Sequence, residues 1–368
     1  MSKPDTARRG RRVFERLDDG VRTVVLTPGA TMRYVTGLEM HQSERPTLVV
    51  LVRDREPAVV CPALETDRVE DAVPGAELFS YADATDPVRA ARVAFDRLRE
   101  ARGIEEPIGV ERRSTRLLET AVFAADDAEL HAVDDAIAAV RSRKDADEIE
   151  AMRTAVRIIE GILEDVVEGI EPGMREVKVE TAIRKRVLDS EAESFGVGIV
   201  TSGDRTAYPH ASTGRRRIER DELVMIDVGV VFDGYYSDIT RTVAVGDPDD
   251  ELVEVHDVVR AAAAAARDRI EPGVACQEID RAAREVIEDA GYGEYFPHRV
   301  GHGLGLEGHE PPYLVAGNET PLQVGQTVTV EPGIYVPGLG GVRIEDDVVV
   351  DESGAEVLTS LPRELRRL

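Results

Sequence analysis

A chain of 368 residues carries 72 Asp and Glu against 46 Lys and Arg, a formal net charge of −26 at pH 7, with 42% apolar residues. That surplus of negative charge argues against nucleic acid or an anionic membrane surface as a partner, since both are polyanions. No run reaches the ~18 apolar residues of a membrane-spanning helix, the opening MSKPDTARRGRRVFERLDD lacks the apolar segment of a secretory signal, and the two cysteines, Cys61 and Cys276, make no disulfide framework, so the cytoplasm is the expected compartment.

In chain order, the first third alternates short β-rich runs with helical patterns. VRTVVLT, TLVVLVR, EPAVVCPA and PIGVERR read as strands, bounded by turn residues. DPVRAARVAFDRLREARG has apolar residues at helical spacing and a closing glycine, which predicts a capped helix. His41 and His131 are isolated, and no cluster of catalytic residue types occurs in this part. The segment RSRKDADEIEAMRTAVRIIEGILEDVVEGI then predicts a long amphipathic helix. It places a boundary near 140–145, between a small mixed α/β domain over 1–140 and a second domain over 141–368.

The second domain contains an internal echo. VVEGIEPGMREVKVETAIRKRVL (166–188) resembles ARDRIEPGVACQEIDRAAREVI (266–287), each a helix, an Ile-Glu-Pro-Gly joint and another helix, with Glu171 and Glu271 one hundred residues apart. A β-rich segment follows each pair. Duplication of a helix–helix–sheet unit predicts a pseudo-two-fold α/β (α+β) domain whose two halves contribute to one concave face.

The first of these β-rich segments, VMIDVGVVFDGYYSDITRTVAV (224–245), predicts a hairpin turning near Phe232-Asp233-Gly234. Asp227 and Asp238 lie inside its apolar arms. Two neighbouring buried carboxylates repel, and a divalent cation removes that conflict. The second hairpin, QTVTVEPGIYVPGLGGVRIEDDVVV, carries Glu331 on one arm and Glu345 on the other; Asp346 and Asp347 follow, so the chain alone leaves open which acid points inward. Between them, FPHRVGHGLGLEGHEPPY holds His298, His302 and His309, three of only seven histidines. One imidazole and four carboxylates make a hard, oxygen-dominated set suited to two divalent ions about 3.5–4 Å apart, with Mn²⁺, Co²⁺ or Zn²⁺ favoured over copper.

Together, IDVGVVFDGYYSDITRT, HRVGHGLGLEGHEPP, VEPGIYVPGLGGVRIED and YPHAST resemble the pita-bread metallopeptidases, in their aminopeptidase P and Xaa-Pro dipeptidase (prolidase) branch. The resemblance covers nearly the whole chain, including a creatinase-like N-terminal domain. It implies Asp227, Asp238, His302, Glu331 and Glu345 as ligands of two divalent metal ions, with Glu331 also in proton transfer. By the same likeness His210 orients substrate, His309 donates to the carbonyl oxygen, His298 lines the proline pocket, and Arg343 and Tyr335 support the ligands or the substrate. It also implies a short Xaa-Pro peptide substrate and a homodimer. A relative acting on another small amide, such as an ectoine derivative, and an inactive binding protein on the same fold are the alternatives. The dispersed acids, with only four lysines beside the arginines, further suggest a salt-adapted cytosol.

Overall fold

Runs of β-branched residues pair first. Thr23–Leu26, Leu48–Val52 and Ala58–Pro62, buried along their whole length, sit inside a six-stranded sheet ordered Glu77–Tyr81, Ala58–Pro62, Leu48–Val52, Thr23–Leu26, Ile108–Val110, Leu130–Ala132. Thr23–Leu26 runs antiparallel to Leu48–Val52 and parallel to Ile108–Val110, so the sheet is mixed. The structure, a computed structural model, describes residues 6–124 and 128–368, and it divides into two units, Met1–Arg141 and Ser142–Leu368. In the first unit the helix Pro87–Arg102 begins where Asp86 accepts from the Arg89 amide at 3.0 Å and ends at Gly103, whose φ of 60° favours glycine. Its Ala91, Ala94, Phe95 and Leu98 pack into the same apolar cluster as Val25, Val50 and Val60 of the sheet. Among the described residues, no helix is long and apolar enough to cross a membrane.

The second unit repeats one plan twice. Helices Ala146–Val167 and Glu176–Leu188 form the first pair, Asp250–Asp268 and Cys276–Asp289 the second. Asp145 and Glu148 cap the first helix reciprocally, each carboxylate accepting from the other's amide. In both Ile-Glu-Pro-Gly joints the glycine is left-handed, Gly173 at φ 89° and Gly273 at φ 87°, while Ile170 and Ile270 are buried. The first pair lays Ile159, Leu163, Val179 and Ile183 on Val200, Val224, Ile226 and Val228; the second lays Val259, Ala263, Ile279 and Ala283 on Val328, Val330, Val348 and Val350. Burying a Val, Leu or Ile side chain contributes about 1.5–3 kcal/mol, so each pair is held by its own sheet.

The first sheet orders Ile239–Val245, Glu222–Phe232 and Ser194–Ser202; the second orders Glu310–Leu314, Gly301–Gly303, Thr327–Val330, Asp346–Asp351 and Gly354–Val357. The second hairpin differs from the sequence expectation of one continuous pair of arms. Thr327–Val330 pairs with Asp346–Asp351, whereas Gly333–Val336 and Gly340–Arg343 form a separate two-stranded ribbon. Pro332 has no amide proton to continue the ladder. Glu331 and Glu345 therefore occupy opposite breaks at the point where one ribbon passes into the other.

His256, on the helix Asp250–Asp268, is 2% exposed, with Leu163, Val167, Val243 and Leu361 lining the same small cleft. Burial lowers its pKa from 6.5 to about 4. As pH falls from 6.5, the unfolded chain takes up this proton before the folded one does. The folded state thus loses about 3 kcal/mol from this residue as pH falls from 6.5 through 4, and keeps all of it above 6.5. The difference in unfolding free energy between wild type and His256→Leu, followed by urea denaturation across that range, should shrink by this amount in favour of the variant; a pH-independent difference would refute the assignment.

Candidate metal centre

Alternation along the first hairpin decides which side chains share a face. Asp227 lies directly across from Thr240, and Thr240 is two residues from Asp238, so all three side chains lie on one face of the pair. The turn places Asp233 at φ 51° and Gly234 at φ 88°, the left-handed pair that a tight hairpin requires. Close strand approach needs a missing Cβ at Gly229, where one would sit 2.0 Å from the Ser237 carbonyl oxygen.

The second half supplies the remaining groups. His302 stands on the strand Gly301–Gly303, and a Cβ at Gly301 would lie 2.0 Å from the Thr329 carbonyl. Glu331 follows Thr327–Val330, its amide donating to the Val300 carbonyl at 2.7 Å. Glu345 precedes Asp346–Asp351, its amide donating to Thr240 at 3.1 Å. The three consecutive acids separate clearly. Glu345 turns toward Asp227 and Asp238. Asp346 turns away and binds the guanidinium groups of Arg241, Arg267 and Arg363. Asp347 accepts from the Asp238 amide at 3.0 Å and so holds that strand from behind.

Three overlapping groups of potential ligand atoms lie within 4.8 Å of one another: Asp227, Asp238 and Glu345; His302, Glu331 and Glu345; and Asp238, His302 and His309. Asp238, His302 and Glu345 each belong to two groups, and of these the two carboxylates have a second oxygen that a second ion could use. The donor set fits a pair of divalent cations on two further observations. Asp238 Oδ1 is buried with no hydrogen-bond partner, and a buried carboxylate oxygen without a donor is costly. Burial first, and then the neighbouring acids, raise Asp238 and Glu345 well above the usual carboxylate range. Asp227 is also raised by burial, although Arg343 opposes this. Cationic charge at this place relieves all three.

Arg343 sits at the centre of the polar surround. It donates to Asp227 Oδ2 at 2.6 Å through Nη2, to Tyr335 at 2.9 Å through Nη1, and to Thr240 Oγ1 at 3.2 Å through Nε. The Thr240 hydroxyl in turn donates to Glu345 Oε2 at 2.7 Å, so one guanidinium orients acids from both halves. The Tyr335 hydroxyl lies 2.9 Å from His298 Nε2, while His298 Nδ1 lies 2.7 Å from the Arg299 carbonyl. A carbonyl only accepts, so Nδ1 carries the proton and Nε2 accepts from the phenol. The hydrogen-bonding capacity of His298 and Tyr335 is thereby committed within the protein.

His309 stacks on His302 with ring centroids 3.7 Å apart. Burial, with His302 beside it, lowers its pKa to about 4, so it is neutral near pH 7. His210 is not part of the cluster's hydrogen bonding; it lies on an exposed loop, close enough for its charge to act on His298 and His309. Fully buried Glu176 closes that loop, accepting from the Ser202 amide and hydroxyl and the Gly214 amide, each at 2.9 Å, and from Arg205. Sequence reasoning did not single out Thr240 or Arg299, and it named Asp347 only as an alternative to Glu345. Thr240 was accessible from period-two alternation with Asp238; the other two depend on pairings between distant strands.

Residues 150–352 match metallopeptidase family M24, and residues 15–143 match the creatinase/prolidase N-terminal domain. An uncharacterized peptidase of Staphylococcus haemolyticus is 35% identical over 341 residues, covering 91% of this chain and 93% of its own. An Xaa-Pro dipeptidase from Bacillus anthracis superposes with a TM-score of 0.90 at 31% identity, over 99% of this chain and 100% of that one. An X-Pro aminopeptidase from Thermotoga maritima superposes with a TM-score of 0.84 at 30% identity, over 97% and 100% of the two chains.

Proposed function

From the premise that the chain belongs to metallopeptidase family M24, with a creatinase-like N-terminal domain before a pita-bread domain, we propose that it hydrolyses the N-terminal Xaa-Pro bond of dipeptides or short peptides. Asp227, Asp238, His302, Glu331 and Glu345 would hold two divalent cations, Mn²⁺ before Co²⁺ or Zn²⁺. The observation that carries this reading is the convergence of four acids and one imidazole, among them Asp238, whose Oδ1 has no hydrogen-bond partner.

When bound, such cations act as Lewis acids and make water acidic enough to furnish hydroxide near neutral pH. The protein's own groups do the rest. Glu331, 3.2 Å from His302, accepts the proton of the attacking water on a carboxylate oxygen and delivers it to the departing nitrogen. His309 donates from its ring to the substrate carbonyl oxygen, where negative charge develops. Arg343 keeps Asp227 directly, and Glu345 through Thr240, at fixed angles. The partly exposed ring of His298, with the buried Tyr335 5.4 Å behind it, offers a wall for a proline ring, and His210 reaches the substrate from its exposed loop.

A dipeptide is the favoured substrate: the Xaa-Pro dipeptidase superposes more closely than the aminopeptidase at nearly equal identity. A homodimer is the expected assembly by the same likeness. The test is initial rates on Ala-Pro and Ala-Pro-Ala with Mn²⁺ present. The expected outcome is hydrolysis of both or of Ala-Pro alone, with Ala-Pro preferred by about tenfold in kcat/KM or more, about 1.4 kcal/mol. Preference for the tripeptide would assign the chain to the aminopeptidase side, and hydrolysis of neither would remove the Xaa-Pro reading.

A further inference from the structure

Two imidazoles lie face to face in the site, His302 and His309, tilted by only 17°. Each uses Nδ1 on a protein group, and the two groups are chemically opposite. His302 Nδ1 is 3.0 Å from the Gly303 carbonyl oxygen. That oxygen only accepts, so Nδ1 holds a proton, and Nε2, 3.2 Å from Glu331, is the nitrogen left to meet a cation. His309 Nδ1 is 3.1 Å from Arg299 Nη2. A guanidinium only donates, so this Nδ1 is bare and the proton sits on Nε2.

We infer that Arg299 is a positioning residue that holds the His309 proton on Nε2, whereas His302 holds one on Nδ1, so that one stacked ring turns Nε2 to a cation and the other an N–H to the substrate. The distinction matters because a His309 ring nitrogen falls within 4.8 Å of Asp238 and His302, close enough to serve as a ligand itself. A nitrogen that carries hydrogen cannot do so.

The surroundings of Arg299 fit this role. In a chain with 72 acids, Arg299 has no carboxylate at ion-pair distance among the described residues. Its guanidinium lies 4.3 Å over the Tyr313 ring, and Tyr313 stands directly across from His302 on the neighbouring strand. The plane of the donor is therefore set by the strand paired with the one that carries His302. The backbone on either side is tied down: Val300 donates to Asp280 at 3.0 Å, and Arg284 donates to the His298 carbonyl at 3.0 Å.

The catalytic consequence rests on the metallopeptidase reading, whereas the tautomer does not, and the experiment separates them. In full-length protein labelled with ¹⁵N-histidine, two-bond ¹H–¹⁵N correlations at neutral pH, assigned with His309→Gln, should show His302 protonated on Nδ1 and His309 protonated on Nε2. Arg299→Met should change the His309 pattern to a mixture and leave His302 alone. A His309 protonated on Nδ1 in wild type, or an unchanged His309 in the variant, would overturn the inference even if no activity were ever found.

In the metal-loaded enzyme, Arg299→Met should lower kcat on Ala-Pro about tenfold with KM within about twofold. Arg299→Lys should be intermediate, and in a His309→Ala background Arg299→Met should cost nothing further. Additive losses, or a rise in KM confined to substrates with a free carboxylate, would make Arg299 a structural residue or a substrate ligand instead.

Discussion

Replacing Asp238 by Asn is expected to lower hydrolysis of Xaa-Pro substrates by about 10³-fold or more, several kcal/mol of lost charge stabilisation. The side chain belongs to two of the three potential ligand groups, with Asp227 and Glu345 on one side and His302 and His309 on the other. Asparagine keeps the shape and removes the charge, and it turns one buried oxygen position into an amide donor facing where a cation belongs. Both metal positions should weaken, because under this assignment each would use this carboxylate. Stability should move the other way. Without metal the acids of this cluster repel one another, so the metal-free variant should unfold at the same temperature as wild type or higher. Calorimetry of the metal-free proteins and rates with restored Mn²⁺ check the two halves; near-normal activity would remove Asp238 from the ligand set.

Replacing His309 by Ala should lower kcat by about 10²–10³-fold, the range for losing one hydrogen bond that stabilises developing charge. Metal content should stay at the wild-type level, and KM should change far less than kcat. The expectation follows from the ring's position: stacked on His302, with Nδ1 held by Arg299, it presents a single N–H to the substrate. Kinetics on Ala-Pro together with metal analysis of the variant separate the roles. Loss of metal with loss of activity would mean that His309 ligates, and the assignment of the two histidines would have to be exchanged.

The two-domain α/β plan and the repeated helix pairs are legible in the chain because they rest on local patterns. Ile-Glu-Pro-Gly marks both joints, since proline ends one helix and a left-handed glycine admits the turn. Asp227 and Asp238 stand out as acids in apolar arms, and alternation with Thr240 places them on one face. The three successive acids were a different matter. Local pattern cannot say that Glu345 faces the cluster while Asp346 meets three arginines, because those arginines come from positions 241, 267 and 363. The break at Pro332 also needed the structure, since it shows that Glu331 and Glu345 flank a separate ribbon. The resemblance gives His298 to the proline pocket and Tyr335 to support of the ligands or the substrate; the structure adds that their polar atoms are joined to each other and, through Arg343, to Asp227. Arg299 carries no sequence signal at all, because its meaning lies in the one nitrogen it touches.

The central claim is that Asp227, Asp238, His302, Glu331 and Glu345 form a single cradle for two divalent ions. The most direct measurement is elemental analysis of the full-length protein after equilibration with Mn²⁺ and removal of the free ion, beside Asp238→Asn treated in the same way. About two ions per chain in the wild type, with clear depletion in the variant, is the predicted result. Fewer than one ion per chain in both, with no hydrolysis restored by added Mn²⁺, would contradict it.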